Sequence, residues 1–219
     1  MIYRRLIISS ILIISTNVNA ALIDRGNGMI YDSDLDITWL QDANYAQTSG
    51  YDADGLMNWT DAMAWADTLS YSGYSDWRLA TGDTVCTPGI FTVCTGGELG
   101  HLFYSELGGS QGSHIFNSSD ADLNLFSNIQ ANIDPFISFY WTSTETVELT
   151  LLSGPVYRPQ AFSFDDGKIT LYPSSENYAW AVRDGDVAAV PLPSSIWLLF
   201  SGLIGLAGLS KRNKLSFKE

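Results

Sequence analysis

Residues 73–81, with the sequence Gly-Tyr-Ser-Asp-Trp-Arg-Leu-Ala-Thr, decide the fold because they carry the chain from a helix into extended structure. Gly73 ends the helical pattern before it, and Ser75–Leu79 is predicted to be extended. Trp77 offers a large apolar face and one hydrogen-bond donor, which suits a core position of fixed orientation. Arg78 could form a buried or half-buried ion pair with Glu98, and such a pair would lock a helix to a sheet.

Helical patterns lie on both sides of this junction. Asn58–Leu69 is the clearest, with Asn58 as the N-cap and with Met63 and Ala66 on its apolar face. Gly97–Leu107 is predicted to be a second helix, closed by the two glycines that come after it. The chain therefore supplies two helices for packing against a sheet.

Extended segments make up most of the rest. Residues 21–32 predict a hairpin that turns at Gly26-Asn27-Gly28, and residues 35–40 predict a short strand. Three later strands are predicted at Phe139–Ser143, Gln160–Phe164 and Tyr178–Arg183, with a tight turn at Asp165–Lys168. Residues 108–135 are rich in Gly, Ser, Asn and Asp and predict a long loop with brief helical or extended pieces. The expected fold class is α+β.

The order of these pieces carries a family resemblance. Along the chain come Ile37–Gln41, Asn58–Ala62, residues 73–81, Glu98-Leu99, Tyr140–Glu145, Phe162–Lys168 and Ala181–Arg183. This order resembles the Lcl C-terminal domain family over about residues 30–185. The resemblance implies a C-type-lectin-like fold, shared with formylglycine-generating enzymes, in which two helices pack on a twisted, mostly antiparallel sheet.

Five residues of these motifs are expected to serve the scaffold rather than a reaction, with a direct role in ligand binding as the alternative. Two are tryptophans suited to oriented core positions, and two are among the few cations of an acidic domain, either of which could pair with the glutamate at the start of the second helix. They are Trp77, Arg78, Glu98, Trp141 and Arg183.

The two ends of the chain predict export. Residues 1–20 begin with a segment containing Arg4-Arg5, continue through a short apolar core and end Val-Asn-Ala, as a secretory signal peptide does. An uncleaved membrane anchor is the alternative, although the apolar core is short for a span. Together with the C-terminal segment, this start argues against a cytoplasmic enzyme.

The C-terminal segment, residues 188–219, has three parts. Val190-Pro191-Leu192-Pro193 separates the apolar run from the domain before it, because proline cannot continue a helix. Residues 195–210 are uncharged and predict a short transmembrane helix, and the cluster that begins Lys211-Arg212 would hold the C-terminus on the cytoplasmic side. This arrangement resembles a PEP-CTERM sorting signal of the Val-Pro-Leu-Pro type. It implies exosortase and the secretion machinery as partners, a transient anchor in the inner membrane, and delivery to the surface or extracellular matrix of a Gram-negative bacterium.

Residues 21–187 remain as one domain of ordinary size, and its charge limits its partners. Between residues 21 and 189 five basic residues face 23 acidic ones, a net charge of −18 with histidine neutral. Such a domain repels nucleic acid, anionic lipid and sulfated polysaccharide. Partners that are neutral or cationic are favoured.

The cysteines and histidines offer few sites. Cys86 and Cys94 flank a Pro-Gly turn in an exported protein, so a disulfide is expected rather than a redox or metal pair. His101 and His114 could bind a metal with a nearby aspartate, but lone histidines are usually surface or core residues. No nucleophile elbow, phosphate loop, zinc-protease motif or paired Cys-x-x-Cys occurs in the sequence.

Calcium is the cofactor that the aspartate clusters would suit. Asp32, Asp34 and Asp36 supply alternate carboxylates, as do Asp52 and Asp54, and hard oxygen ligands suit Ca²⁺. Neither cluster completes an EF-hand loop. A solvated acidic edge would have the same sequence.

These observations lead to three candidate functions. The favoured one is a non-catalytic surface or matrix protein whose lectin-like domain binds glycan; the resemblance adds that the family's namesake adhesin binds sulfated polysaccharide and forms a trimer. The alternatives are an exported polysaccharide-acting enzyme, which would need a cleft with a carboxylate of raised pKa, and a structural matrix protein. Residues 108–137 and the Asp165-Asp166 segment are expected to line any site, with Trp141 and Tyr178 as further ligand-binding candidates.

Overall fold

A computed structural model describes residues 22–187 except 87–88, 90, 132–137, 151–153, 172 and 174. The predicted signal peptide and the C-terminal sorting signal with its helix at 195–210 lie outside the described residues. Among the described residues, no helix has the length and apolar character needed to cross a bilayer.

The described chain is α+β, as the sequence predicts, and strands dominate it. The strands are β1 (Leu22–Gly26), β2 (Met29–Asp32), β3 (Ile37–Leu40), β4 (Arg78–Leu79), β5 (Tyr140–Thr150), β6 (Gly154–Phe162), β7 (Ile169–Thr170), β8 (Tyr178–Ala179) and β9 (Ala181–Asp184). The α-helices are α1 (Tyr45–Thr48), α2 (Trp59–Thr68) and α3 (Gly97–His101).

The first sheet has five strands in the order β1-β2-β3-β9-β4, and all of its pairs are antiparallel. The predicted hairpin is present: β1 and β2 meet across Gly26, Asn27 and Gly28, all three with positive φ. The predicted strand at 35–40 is β3.

The second sheet has the order β7-β6-β5-β8 and is antiparallel except for the β5–β8 pair. Its main feature is the long β5–β6 hairpin, which pairs Tyr140 with Phe162 at the base and Thr150 with Gly154 near the tip. The strands predicted at 139–143 and 160–164 are thus the base of a longer ladder. Its register shifts between Trp141 and Glu145.

The chain passes from one sheet to the other at Trp180. The predicted single strand over residues 178–183 is therefore two strands, β8 and β9, in different sheets. The Trp180 ring is buried, its indole nitrogen donates to the Leu40 carbonyl at 2.8 Å, and its ring centroid lies 5.4 Å from that of Trp39. Because this large ring is buried in the core, the backbone changes direction at Trp180 and passes from the second sheet to the first. The prediction of a single sheet is therefore wrong, and the domain has two.

The helices begin where the sequence predicts. The Asn58 side chain caps α2 by accepting from the Asp61 backbone N–H at 3.0 Å. The second predicted helix, Gly97–Leu107, is α3 followed by a π-helical turn over Leu102–Glu106. Residues 108–131 contain two short 3₁₀ turns, Ile115–Asn117 and Ala121–Leu125, as expected of the predicted loop.

The core lies between the helices and the two sheets. Five tryptophans are at most 5% exposed: Trp39, Trp65, Trp77, Trp141 and Trp180. The predicted disulfide between Cys86 and Cys94 is present and closes a loop beside the start of α3.

Candidate functional site

The two arginines among the residues predicted to hold the scaffold form ion pairs: Arg78 pairs with Glu98 and Asp184, and Arg183 pairs with Asp76. Arg78 donates to both carboxylate oxygens of Glu98, at 2.8 and 2.7 Å, and the Thr81 backbone N–H donates to the same carboxylate at 2.7 Å. The Glu98 N–H in turn donates to the Thr81 carbonyl at 3.0 Å. This double contact ties α3 to the end of β4, because the donors that bind the Glu98 carboxylate belong to residues 78–81.

Arg183 pairs with Asp76 and not with Glu98, the partner considered from the sequence. Its guanidinium donates to both oxygens of Asp76 at 2.9 and 2.7 Å and lies 4.4 Å from the centre of the Tyr74 ring. Hydrogen bonding from Arg183 lowers the pKa of Asp76. Arg183 lies on β9 beside β4, so the aspartate of residues 75–79 is nearer to it than Glu98 is.

The four candidate ligand residues do not form one cluster. Trp141 is buried, and its indole nitrogen donates to the Met57 carbonyl at 2.7 Å. Tyr178 is half-buried on the neighbouring strand β8. Asp166 pairs with Lys168 at 2.7 Å in the turn after β6.

Asp165 is held inside the fold. Its carboxylate accepts from the Ser138 N–H at 2.6 Å, and one of its oxygens lies 3.5 Å from the His114 ring nitrogen Nε2. Both side chains are about nine-tenths buried. This contact joins the 108–131 segment to the turn after β6 and leaves little of either side chain exposed.

The calcium candidates do not converge on one point. Asp32 is fully buried and accepts from the Asp34 and Leu35 N–H groups, which closes the turn between β2 and β3. Asp36 is exposed and accepts from the Tyr31 hydroxyl. Asp52 is likewise used within its own loop, where it accepts from the N–H groups of residues 54 and 55.

Asp32 instead joins a cluster that sequence spacing does not show. One ligand atom each of Asp32, His101 and Glu106 lie within 4.8 Å of one another. The His101 nitrogen Nε2 is 2.9 Å from a Glu106 oxygen. Burial raises the pKa of Asp32, and burial together with the charge of Asp32 raises the pKa of Glu106. We call these three residues the buried triad.

A second candidate site lies beside the β5–β6 hairpin, along residues 144–147. The loop at residues 83–86 faces the hairpin across a half-open cavity of about 310 Å³, which we call the polar groove. It is lined by Asp83, Thr84, Val85, Cys86, Thr144, Glu145, Thr146, Val147 and Gln160. Pockets of this size accommodate small ligands.

Gln160 is the central polar group of the groove. It is 1% exposed, and its amide nitrogen donates to the Asp83 carbonyl at 2.9 Å and to the Thr146 hydroxyl at 2.8 Å. Its oxygen Oε1 is buried beside Gly82 and has no hydrogen-bond partner among the described residues. A buried acceptor of this kind is costly unless water or a ligand donates to it.

The loop that forms the other wall of the groove is organised by Asp83. The Asp83 carboxylate accepts from the N–H groups of Val85, Cys86 and Gly96 at 2.8–2.9 Å. Burial raises its pKa, but the three N–H donors outweigh burial and hold the pKa below its ordinary value. The wall is therefore anionic at neutral pH, and the disulfide at Cys86 holds it in place.

The groove was missed from sequence for a definite reason. Gln160 and Asp83 are 77 residues apart, and only the hairpin register brings them together. The signal that was available is the run Thr142–Thr150, where β-branched residues alternate with polar ones as in an exposed strand. That signal predicts a longer β5 but no site.

Comparison of this chain with protein-family models, with curated proteins and with solved structures finds no match.

Proposed function

We propose that this chain is an exported cell-surface or matrix protein whose lectin-like domain binds a neutral glycan without catalysis. The order of its motifs supports the Lcl C-terminal family and a C-type-lectin-like fold, and the α+β architecture agrees with that fold class. The sequences of the two ends support secretion, exosortase processing and delivery to the surface or matrix. A homo-oligomer accords with the same resemblance.

The observation that carries the binding proposal is the polar groove. Sugars are recognised by hydrogen bonds from carboxylates, amides and hydroxyls that converge on one cavity, with apolar surface beside them. The groove offers the Glu145 carboxylate and the Gln160 oxygen, which no described residue binds. It also offers the Thr146 hydroxyl, whose proton is left to donate because its oxygen accepts from Gln160. Val85, 92% exposed, supplies apolar surface at the wall.

The charges around the groove define the ligand class. Two carboxylates line it, Asp83 and Glu145, and the lining contains no basic residue among those described. The domain as a whole carries a large negative charge. A sulfated or uronic-acid polysaccharide would be repelled, whereas neutral hydroxyl groups can donate to the exposed Glu145 carboxylate. The proposed ligand is therefore a neutral glycan, unlike the polyanion of the family's namesake.

An enzymatic function is the weaker alternative, although the molecule contains two close carboxylates with raised pKa. In a glycosidase both carboxylates must flank the scissile bond of the bound sugar. Asp32 is 0% exposed and Glu106 is 6% exposed. A sugar ring cannot reach between them, so the buried triad does not support glycoside hydrolysis.

Glycan-array binding of the purified full-length chain, with calcium and then with a chelator, tests the proposal. We expect selective binding to neutral glycans. Glu145→Ala removes an exposed carboxylate from the groove, and a hydrogen bond to a charged group contributes about 1.5–3 kcal/mol, so affinity for the selected glycan should fall at least about tenfold.

Glu148→Ala is the matched control, because Glu148 lies three residues along the same strand and does not line the groove. Its affinity should stay within about twofold of the parent. Equal losses in the two variants would place the binding surface elsewhere. A folded chain that binds no glycan in either condition would overturn the proposal in favour of a structural matrix component.

A further inference from the structure

The buried triad joins three residues that are far apart in sequence. Asp32 ends β2, His101 ends α3 and Glu106 ends the π-helical turn. Their ligand atoms lie within 4.8 Å of one another, close enough for a single metal ion to bind all three after small side-chain shifts. The triad is separate from the polar groove and from the glycan that the groove is proposed to bind.

The π-helical turn is the feature that brings Glu106 to His101. In an α-helix, residues five apart point about 140° away from each other, because each residue advances about 100°. Here the helix widens, and the Leu107 N–H donates to the Leu102 carbonyl five residues back at 2.9 Å. In this wider turn the residue five positions along moves toward the face of the first, and the Glu106 carboxylate reaches the His101 ring. Such turns are rare and occur frequently at functional sites.

The carboxylate of Asp32 is held in place by the backbone. Its Oδ1 atom accepts from two N–H groups of the β2–β3 turn, both at 3.1 Å. Among the described residues, Oδ2 accepts one long hydrogen bond, from the Trp39 indole nitrogen at 3.4 Å. One oxygen is thus anchored by the fold while the other retains lone pairs for a ligand.

The charge of the triad also favours a cation. Two carboxylates are more than nine-tenths buried with one imidazole between them, and burying like charges together is costly unless a positive charge lies nearby. Arg78, which contacts the first turn of α3 through Glu98, also binds Asp184 and so has other partners. A divalent cation would supply a charge that no lysine or arginine of the described residues supplies to Asp32 or Glu106.

The donor set distinguishes among metals. One imidazole nitrogen and two carboxylate oxygens suit Zn²⁺ and similar first-row ions, whereas Ca²⁺ and Mg²⁺ prefer oxygen alone. Three protein ligands leave one tetrahedral position for water. A surface cavity of about 410 Å³ lined by His101, Leu35 and Glu98 adjoins the triad, so solvent reaches its histidine side.

We propose that Asp32, His101 and Glu106 bind one divalent transition-metal ion, with Zn²⁺ as the best fit. Ligands about 2.1 Å from a tetrahedral zinc lie roughly 3.4 Å apart. The 2.9 Å contact between His101 and Glu106 would therefore open by about 0.5 Å as the ion replaces their hydrogen bond. This adjustment is small for two side chains on a short helical segment.

Calorimetric titration of Zn²⁺ into the metal-free full-length chain at neutral pH tests the proposal. We expect one equivalent to bind. Changes outside the ligand shell of metal sites cost roughly 10–100-fold in affinity, so loss of a ligand in His101→Ala should cost at least about 100-fold. Asp67→Asn is the matched control: it removes an exposed carboxylate on α2, outside the triad, and should leave affinity unchanged.

The histidines provide a second readout that does not depend on stability. The chain contains two, His101 and His114, so the imidazole nitrogen spectrum of an untagged sample holds two sets of signals. Stoichiometric Zn²⁺ should shift the signals of His101 and leave those of His114 in place. An unchanged His101, or zinc affinity that survives His101→Ala, would overturn the proposal.

Discussion

Glu98 and Glu106 lie eight residues apart on one continuous helical segment, and their surroundings differ. Glu98 receives two hydrogen bonds from the Arg78 guanidinium and one from a backbone N–H. Glu106 is more deeply buried, yet it faces another carboxylate and a single imidazole. The neighbours of Glu98 balance its negative charge, whereas those of Glu106 include a second carboxylate.

This difference distinguishes a carboxylate that stabilises the fold from one that remains able to bind a ligand. A carboxylate with a full set of donors stabilises the position of α3 against β4 and has little capacity left for a ligand. A buried carboxylate short of positive charge destabilises the protein unless a proton or a cation joins it. The same residue type, about two helical turns apart, thus serves both purposes.

The largest expected effect comes from removing the partner of Glu98. Arg78→Met leaves a largely buried carboxylate without its cation, and breaking such a pair costs about 3 kcal/mol. Chemical denaturation at pH 7 should show this loss in the free energy of unfolding. A loss below about 1 kcal/mol would mean that solvent already screens the pair and that the contrast with Glu106 is weak.

The two glutamates can be compared directly by the same substitution. In metal-free protein, Glu98→Gln should lose about 2 kcal/mol, because two charge-assisted hydrogen bonds become weaker. Glu106→Gln should be neutral or stabilising, since it removes one of two crowded negative charges. Urea denaturation of both variants with a chelator present measures the two effects. A greater loss for Glu106→Gln would reverse the comparison.

Asp83 is a third buried carboxylate, and backbone donors match its charge. Asp83→Asn should lower the free energy of unfolding by about 1 kcal/mol near pH 7. The lowered pKa means that this stabilisation is present in full above the ordinary value of 3.8 and is lost as pH falls through the folded value below it. The difference between parent and variant should therefore shrink below about pH 4.

Denaturation at several pH values between about 3 and 7 checks this expectation, with Asp67→Asn as control because Asp67 is exposed on α2. A constant difference across that range would show that the Asp83 carboxylate is not what the three N–H groups stabilise.

Local signals predict much of the fold. The Gly26-Asn27-Gly28 turn and the Asn58 cap are read from a few neighbouring residues, and both are present. Arg78 and Glu98 are matched in the sequence because cations are scarce in this domain. The pairing of Arg183 with Asp76 was missed, since choosing between two acidic partners requires the strand order.

Features that depend on contacts between distant residues cannot be predicted from the sequence for the same reason. The break at Trp180 depends on where a large ring finds space in the core, and the π-helical turn has no compositional signature in residues 102–106. Both candidate sites depend on such features. The polar groove needs the hairpin register, and the buried triad needs the wider turn. Spacing groups Asp32 with Asp34 and Asp36, but its side chain is buried while theirs are exposed.

The strand change at Trp180 has a consequence for how the molecule opens. Residues 178–184 contribute β8 to one sheet and β9 to the other with a single residue between them. Neither sheet can separate from the helices without pulling this residue out of the core and disturbing its partner sheet. Partial unfolding confined to one sheet is thereby disfavoured, and the backbone amides of both sheets would exchange their protons with solvent through one shared, global opening.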